Sequence, residues 1–232
     1  MNVLLIPGLW LDGSSWEAIA PELERAGHRV RALTLPGMES HAADRSAITL
    51  RDHVDAVIAE IDACEGPVVL VGHSIGGAVA HAAADARPDR IARVIYVAGE
   101  PLGEGQFNSD QFAAENGEVP LPEWSFFDDE MVADLDDELR AVFRERAIPA
   151  PAQVASGVQR LSDERRYDVP VTVIACEYSS AMLRQWLADG QPGVAELSLI
   201  KDVEYVDLPS GHWPQFTRPT ELAELLAARI SR

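Results

Sequence analysis

The sequence predicts an α/β fold: a mostly parallel open sheet of about six strands, with helices on both faces. Three observations carry that expectation. Short continuous apolar runs alternate with stretches whose apolar residues recur at i, i+3, i+4 and i+7. The runs are apolar at every position, as strands buried on both faces must be. Pro-Gly pairs or polar turns end several of them, which favours strand–turn–helix units over one long helix. At 232 residues the chain is expected to form a single domain over 1–232.

The elements follow in order. Val3, Leu4, Leu5 and Ile6 form the first run, ended by Pro7-Gly8. Trp16, Ile19, Ala20 and Leu23 then mark one apolar helix face closed by Gly27. Residues 28–35 read as a second strand, stopped by Pro36-Gly37. Thr49 and Asp52 have the spacing of a capping box ahead of a helix with Val54, Val57, Ile58 and Ile61 on one side. Val68 to Val71 form a third run, and residues 75–86 form an Ala- and Gly-rich helix suited to close packing. Residues 93–97 give a fourth strand. The βα pattern then lapses over 101–168, read as a helical cap insertion with Met131, Leu135, Leu139 and Val142 on one helix face and a second helix near 153–161. It resumes with a strand at 171–175, a helix near 180–188, a strand at 203–208 and a terminal helix carrying Leu222, Leu225, Leu226 and Ile230.

Composition narrows the function. Nineteen Lys and Arg oppose 38 Asp and Glu, for a net charge of −19, which argues against nucleic acid or an anionic membrane surface as partner. The insertion alone carries 16 acidic and 6 basic side chains. That charge disfavours anionic substrates, so neutral esters should outperform carboxylate-bearing ones. Lys201 is the only lysine. Cys64 and Cys176 fit neither a disulfide framework nor a metal site, and no histidine spacing suits a metal; no cofactor or metal is expected. The N-terminus lacks a basic segment and a signal-type apolar stretch, and no run reaches membrane-spanning length, so the expectation is a cytoplasmic protein.

The chemistry is concentrated at Gly72-His73-Ser74-Ile75-Gly76-Gly77, a G-x-S-x-G match between a buried strand and an Ala/Gly-rich helix. Flanking glycines let the strand turn sharply and present Ser74 at the tip, at a helix N-terminus that favours developing negative charge. A serine nucleophile needs a base. His28, His53, His73 and His81 fall on strands, on helices or beside the serine, and His41 stays open in a loop. His212, in Gly211-His212-Trp213 just past the last strand, sits where a parallel sheet brings it to the same edge as Ser74. The oxyanion donors are expected from the backbone N–H of Ile75 and of Leu9, in the loop after the first strand. Trp10, Trp124, Phe127 and Trp213 are candidate pocket residues.

These residues resemble the α/β-hydrolase superfamily, within its small branch of esterases, methylesterases and hydroxynitrile lyases. The features that carry the resemblance are Gly8-Leu9-Trp10 with Trp16, the Ser74 turn, Val94-Ile95-Tyr96-Val97-Ala98, and Gly211-His212-Trp213 with Arg218-Pro219. The resemblance implies a serine hydrolase acting on a small-molecule carboxylic ester, as a monomer or homodimer. Alternatives are a non-catalytic small-molecule-binding protein or a cyanohydrin-type lyase. Two departures stand out. Pro7-Gly8 replaces the usual His-Gly, and Ser179 stands where the branch carries its aspartate. The acid of the triad is therefore expected at Glu100, after the preceding strand, with Glu177, Asp207 or a water-assisted Ser–His dyad as alternatives.

Overall fold

The structure, a computed structural model, describes residues 1–107, 109 and 111–231. In chain order they form β1 (Asn2–Ile6), α1 (Ala20–Arg25), β2 (Arg29–Ala32), α2 (Leu50–Ala63), β3 (Val68–His73), α3 (Ile75–Ala86), β4 (Ile91–Val97), β5 (Glu118–Val119), α4 (Asp129–Val132), α5 (Asp137–Arg146), β6 (Ala150–Pro151), α6 (Ala152–Ala155), β7 (Val171–Ala175), α7 (Ser180–Ala188), β8 (Val203–Asp207), α8 (Pro214–Thr217) and α9 (Pro219–Ile230). Six strands pair in the order β2-β1-β3-β4-β7-β8. Every pairing among them is parallel.

The period-two alternation of side chains splits each strand between two cores. Val3, Leu5, Val69, Val71, Ile95, Val97 and Ile174 face one side, where Trp16, Ile19 and Leu23 meet Leu222, Leu226 and Ile230 of α9. Leu4, Ile6, Leu70, Val94, Tyr96 and Val173 face the other, against Val54, Val57 and Ile61 of α2 and Val79 and Ala83 of α3. Each run is apolar throughout because both of its faces are covered. The capping box forms as the spacing implies: Asp52 Oδ2 accepts the Thr49 N–H at 2.8 Å, and Thr49 Oγ1 accepts the Asp52 N–H at 3.3 Å.

Two elements depart from expectation. The face running from Trp16 to Leu23 is divided between a 3-10 turn at Gly13–Trp16 and α1. Pro21 has no N–H to continue a helix from the preceding turn. Between β4 and β7, the single face of Met131, Leu135, Leu139 and Val142 is broken into α4 and α5, and the second helix is only α6. Asp136 caps α5 by accepting the Leu139 N–H at 2.8 Å, which starts a new helix inside the expected one. The same segment holds an antiparallel pair, β5 with β6, that was not expected.

A buried polar network fastens this segment to α3. His81 on α3 donates from Nε2 to Glu196 Oε1 at 3.0 Å and accepts from the Tyr96 hydroxyl at 2.9 Å. Arg166 binds the same Glu196 oxygen at 2.8 Å and reaches Asp85 of α3 at 3.1 Å. With both ends paired, the buried charges hold α3, and hence the turn at its N-terminus, in place.

Candidate active site

Ser74 lies between β3 and α3 at φ 53° and ψ −126°. That positive φ is strained for any residue with a side chain. The turn is possible because its neighbours lack one. A Cβ on Gly72 would sit 2.4 Å from the Gly76 carbonyl oxygen, and a Cβ on Gly76 would sit 2.6 Å from the carbonyl oxygens of Ile6 and Pro7. The Ser74 N–H donates to the Val97 carbonyl at 3.0 Å, tying the turn to β4.

His212 approaches from the loop after β8. Its Nε2 lies 2.9 Å from Ser74 Oγ, placed to accept a hydrogen bond from the hydroxyl. Its Nδ1–H donates to Glu177 Oε1 at 2.6 Å. Burial opposes ionisation of Glu177, but the hydrogen bond and charge of His212 outweigh it and hold the carboxyl below its ordinary range.

The acid against His212 is thus Glu177, and the expectation of Glu100 is corrected. The physical reason is strand order. His212 follows β8, whose immediate neighbour is β7, and Glu177 leaves the carboxyl end of β7; Glu100 leaves β4, one strand further away. The Glu100 carboxylate instead accepts the Tyr178 hydroxyl proton. Burial, with the nearby Glu177 charge, pushes the Glu100 carboxyl above its ordinary value. Asp207 is also engaged elsewhere, accepting from the Ser180 N–H and, at 2.9 Å, from its hydroxyl. Ser179 caps α7 by accepting the Met182 N–H at 3.2 Å. His41 borders a separate surface cleft with Asp12, Ser14 and Arg146.

Two features behind His212 were not read from the sequence. His73 is fully buried, and its Nε2–H donates to the His212 carbonyl at 2.7 Å. Burial, reinforced by the positive charge that His212 can carry, lowers the His73 pKa to about 3, so this ring stays neutral. The signal was its place on β3, whose alternation aims it away from the solvent edge. On the other side, the His212 N–H donates to the Met131 carbonyl at 2.8 Å. Gly211 packs so closely on Asp134 that a Cβ there would lie 2.4 Å from Asp134 Oδ1.

Leu9 and Ile75 border one small cavity of about 10 Å³ between the β1 loop and α3. Ile75 is the first residue of α3, so its N–H has no partner within the helix. Ser74, Glu177 and His212 open onto a larger cavity of about 590 Å³, whose walls include Glu100, Leu102, Phe107 and Tyr178. The aromatics expected there are placed differently. Trp10, Trp124, Phe127 and Trp213 do not line it; they pack together where the β4–β7 segment meets the sheet domain, with Phe127 and Trp213 ring centres 5.4 Å apart and Trp124 and Trp213 6.0 Å apart. The Trp10 indole N–H donates to the Val119 carbonyl at 3.1 Å. Their burial against one another satisfies them as core.

The family model described as "Alpha/beta hydrolase family" matches residues 3–225. The carbendazim hydrolyzing esterase of Nocardioides sp. (strain SG-4G) is 27% identical over 262 residues, covering 98% of each chain. Methylesterase 7 of Arabidopsis thaliana is 25% identical, covering 96% of this chain and 94% of its own. Among solved structures, an extracellular alpha/beta-hydrolase from a Paenibacillus species superposes with a TM-score of 0.79 at 24% identity, covering 98% of both chains. The match over nearly the whole length, with the serine turn and the histidine loop at the same sheet edge, makes this chain a member of the alpha/beta hydrolase family.

Proposed function

We propose that the protein is a serine carboxylesterase in which Ser74, His212 and Glu177 form the catalytic triad. The observation that carries this reading is the continuous chain from Glu177 Oε1 to His212 Nδ1 at 2.6 Å and from His212 Nε2 to Ser74 Oγ at 2.9 Å. His212 takes the Ser74 proton as Oγ attacks the ester carbonyl, and Glu177 stabilises the resulting imidazolium. The N–H groups of Leu9 and Ile75 hold the oxyanion. Collapse of the intermediate breaks the bond to the alcohol oxygen, which leaves with the His212 proton. Water, deprotonated by the same ring, then frees the acid from Ser74.

The named esterases and methylesterases among the relatives support this choice of bond. The cavity of about 590 Å³ suits a small ester. Glu100 and Glu177 on its wall, with no Lys or Arg among the described residues that line it, disfavour an anionic one. The segment between β4 and β7 acts as the cap over this cavity. A cyanohydrin-type lyase in this branch needs a lysine by the serine, whereas Lys201 is exposed and paired with Asp168. A purely binding role leaves the Ser74–His212–Glu177 chain without a purpose.

The test uses p-nitrophenyl esters of increasing acyl length with a Ser74→Ala control, and labelling by a fluorophosphonate. Turnover and labelling are expected in the native protein and abolished in Ser74→Ala. Absence of both in the folded native protein overturns the reading.

A further inference from the structure

Beside the Ser74 cavity lies a second, open cleft of about 300 Å³, lined by Glu100, Tyr178, Trp186, Gln191, Gly193 and Val194. Glu100, Tyr178 and Gly193 belong to both hollows, so the two share a wall. Tyr178 and Trp186 stand with ring centres 5.1 Å apart and planes at 54°, and both line the cleft. The Glu100 carboxylate, held by the Tyr178 hydroxyl, occupies the boundary.

Glu100 is half-buried, and a carboxylate that has lost part of its hydration to one neutral donor is held at a cost, because a single hydroxyl does not replace the lost water. Among the described residues neither hollow has a Lys or Arg in its wall, and Glu177 adds a second negative charge to the larger one. A glutamine would accept the Tyr178 hydrogen bond without that cost, so a purely structural role does not account for the charge. A positive group brought by a ligand would compensate it. Two aromatic faces next to a carboxylate are the surroundings that favour an ammonium group, through cation–π attraction and charge pairing in a partly dehydrated site. The net charge of −19 adds long-range attraction for such a ligand.

We propose that Glu100, Tyr178 and Trp186 form a subsite for a positively charged nitrogen, so that the preferred substrates are esters whose alcohol or acyl part carries an ammonium group. The proposal rests on ester hydrolysis at Ser74 and names its substrate class. Glu100 is then a specificity-determining residue.

The test compares butyrylthiocholine with its uncharged isostere, 3,3-dimethylbutyl thiobutyrate, which has carbon in place of nitrogen. Native protein is expected to show a kcat/KM ratio of about tenfold or more in favour of the cation, a size consistent with a desolvated cation–π and carboxylate contact. The ratio is expected to fall to within about threefold of unity in Glu100→Gln and to drop several-fold in Trp186→Leu. A native ratio at or below one, or a Glu100→Gln ratio equal to the native one because both esters slow together, overturns the proposal. Choline binding to Ser74→Ala, measured by isothermal titration calorimetry, separates the two hypotheses. Binding that Glu100→Gln abolishes, with neither thioester hydrolysed, keeps the subsite and removes the esterase reading. Hydrolysis of both thioesters without discrimination, together with no choline binding, does the reverse. Neither hydrolysis nor choline binding overturns both.

Discussion

Glu177 Oε1 lies 2.6 Å from His212 Nδ1, and this carboxylate reaches the ring from a position two residues before Ser179, where the related branch carries its acid. The contact fixes the ring with its Nδ1 protonated and its Nε2 free to accept from Ser74. Glu177→Gln keeps the shape but removes the charge that, in the proposed triad, stabilises the imidazolium. Its kcat on a p-nitrophenyl ester is expected to fall by about 10³–10⁴, with an unchanged circular dichroism spectrum. A loss under tenfold would remove Glu177 from the triad.

That the sequence ranks Glu177 behind Glu100 has a physical reason. β1, β3 and β7 were legible because nearly continuous apolar runs leave few alternatives, whereas the edge strand expected over 28–35 forms only at Arg29–Ala32. Ser74 and His212 were legible because a sharp glycine-framed turn and a loop after the last strand define their places locally. The acid depends on which strand end lies next to β8, a question of sheet order, and both Glu100 and Glu177 follow a strand. The aromatic residues were misplaced for a similar reason: Trp124, Phe127 and Trp213 carry no periodic signal that separates a cavity wall from a packed cluster. The β5–β6 pair joins two-residue strands at Glu118–Val119 and Ala150–Pro151, too short for alternation to register.

The neutral, buried His73 ties stability to pH. Its folded pKa of about 3 lies well below the value near 6.5 of an unfolded histidine. Between those values the unfolded chain binds the extra proton, so this ring's contribution is complete above pH 6.5 and is lost as pH falls toward 3. The slope is about 1.4 kcal/mol per pH unit at most. His73→Gln retains a donor for the His212 carbonyl without the titration. Urea unfolding at pH 7, 6, 5 and 4 is expected to show a shallower decline in the variant, by roughly 1 kcal/mol per unit. Parallel declines would show that His73 titrates alike in both states.

Gly211 couples the β4–β7 segment to the reacting ring. A Cβ there would lie 2.4 Å from Asp134 Oδ1 and 2.6 Å from the Met131 carbonyl oxygen, and that same carbonyl accepts the His212 N–H. Gly211→Ala is therefore expected to push the His212 loop outward. A displacement near 1 Å costs on the order of 10²-fold in kcat. Asp134→Ala in the same chain relieves one of the two contacts and should restore part of the rate. Steady-state kinetics of the single and double variants check this. Full native activity in Gly211→Ala would show that the loop yields without moving the ring.

Acidification should erase the preference for cationic esters before it discharges Glu177. Burial pushes the Glu100 carboxyl above its ordinary range, while the hydrogen bond from His212 holds Glu177 below it despite burial. The groups that bear on Glu100 are the Tyr178 hydroxyl, Glu177 and His212; the hydroxyl donates to it, Glu177 opposes its ionisation and His212 favours it. Above the Glu100 pKa the carboxylate attracts an ammonium group; below it the carboxyl is neutral and the attraction is lost. A change in rate common to both esters cancels in their ratio. The kcat/KM ratio of butyrylthiocholine to 3,3-dimethylbutyl thiobutyrate is thus expected to be flat at high pH and to decline on acidification, starting above the ordinary carboxylate range. In Glu100→Gln the ratio should be flat and low throughout. A native ratio that stays constant down to pH 5 would mean that the charge on Glu100 does not contribute to the selection.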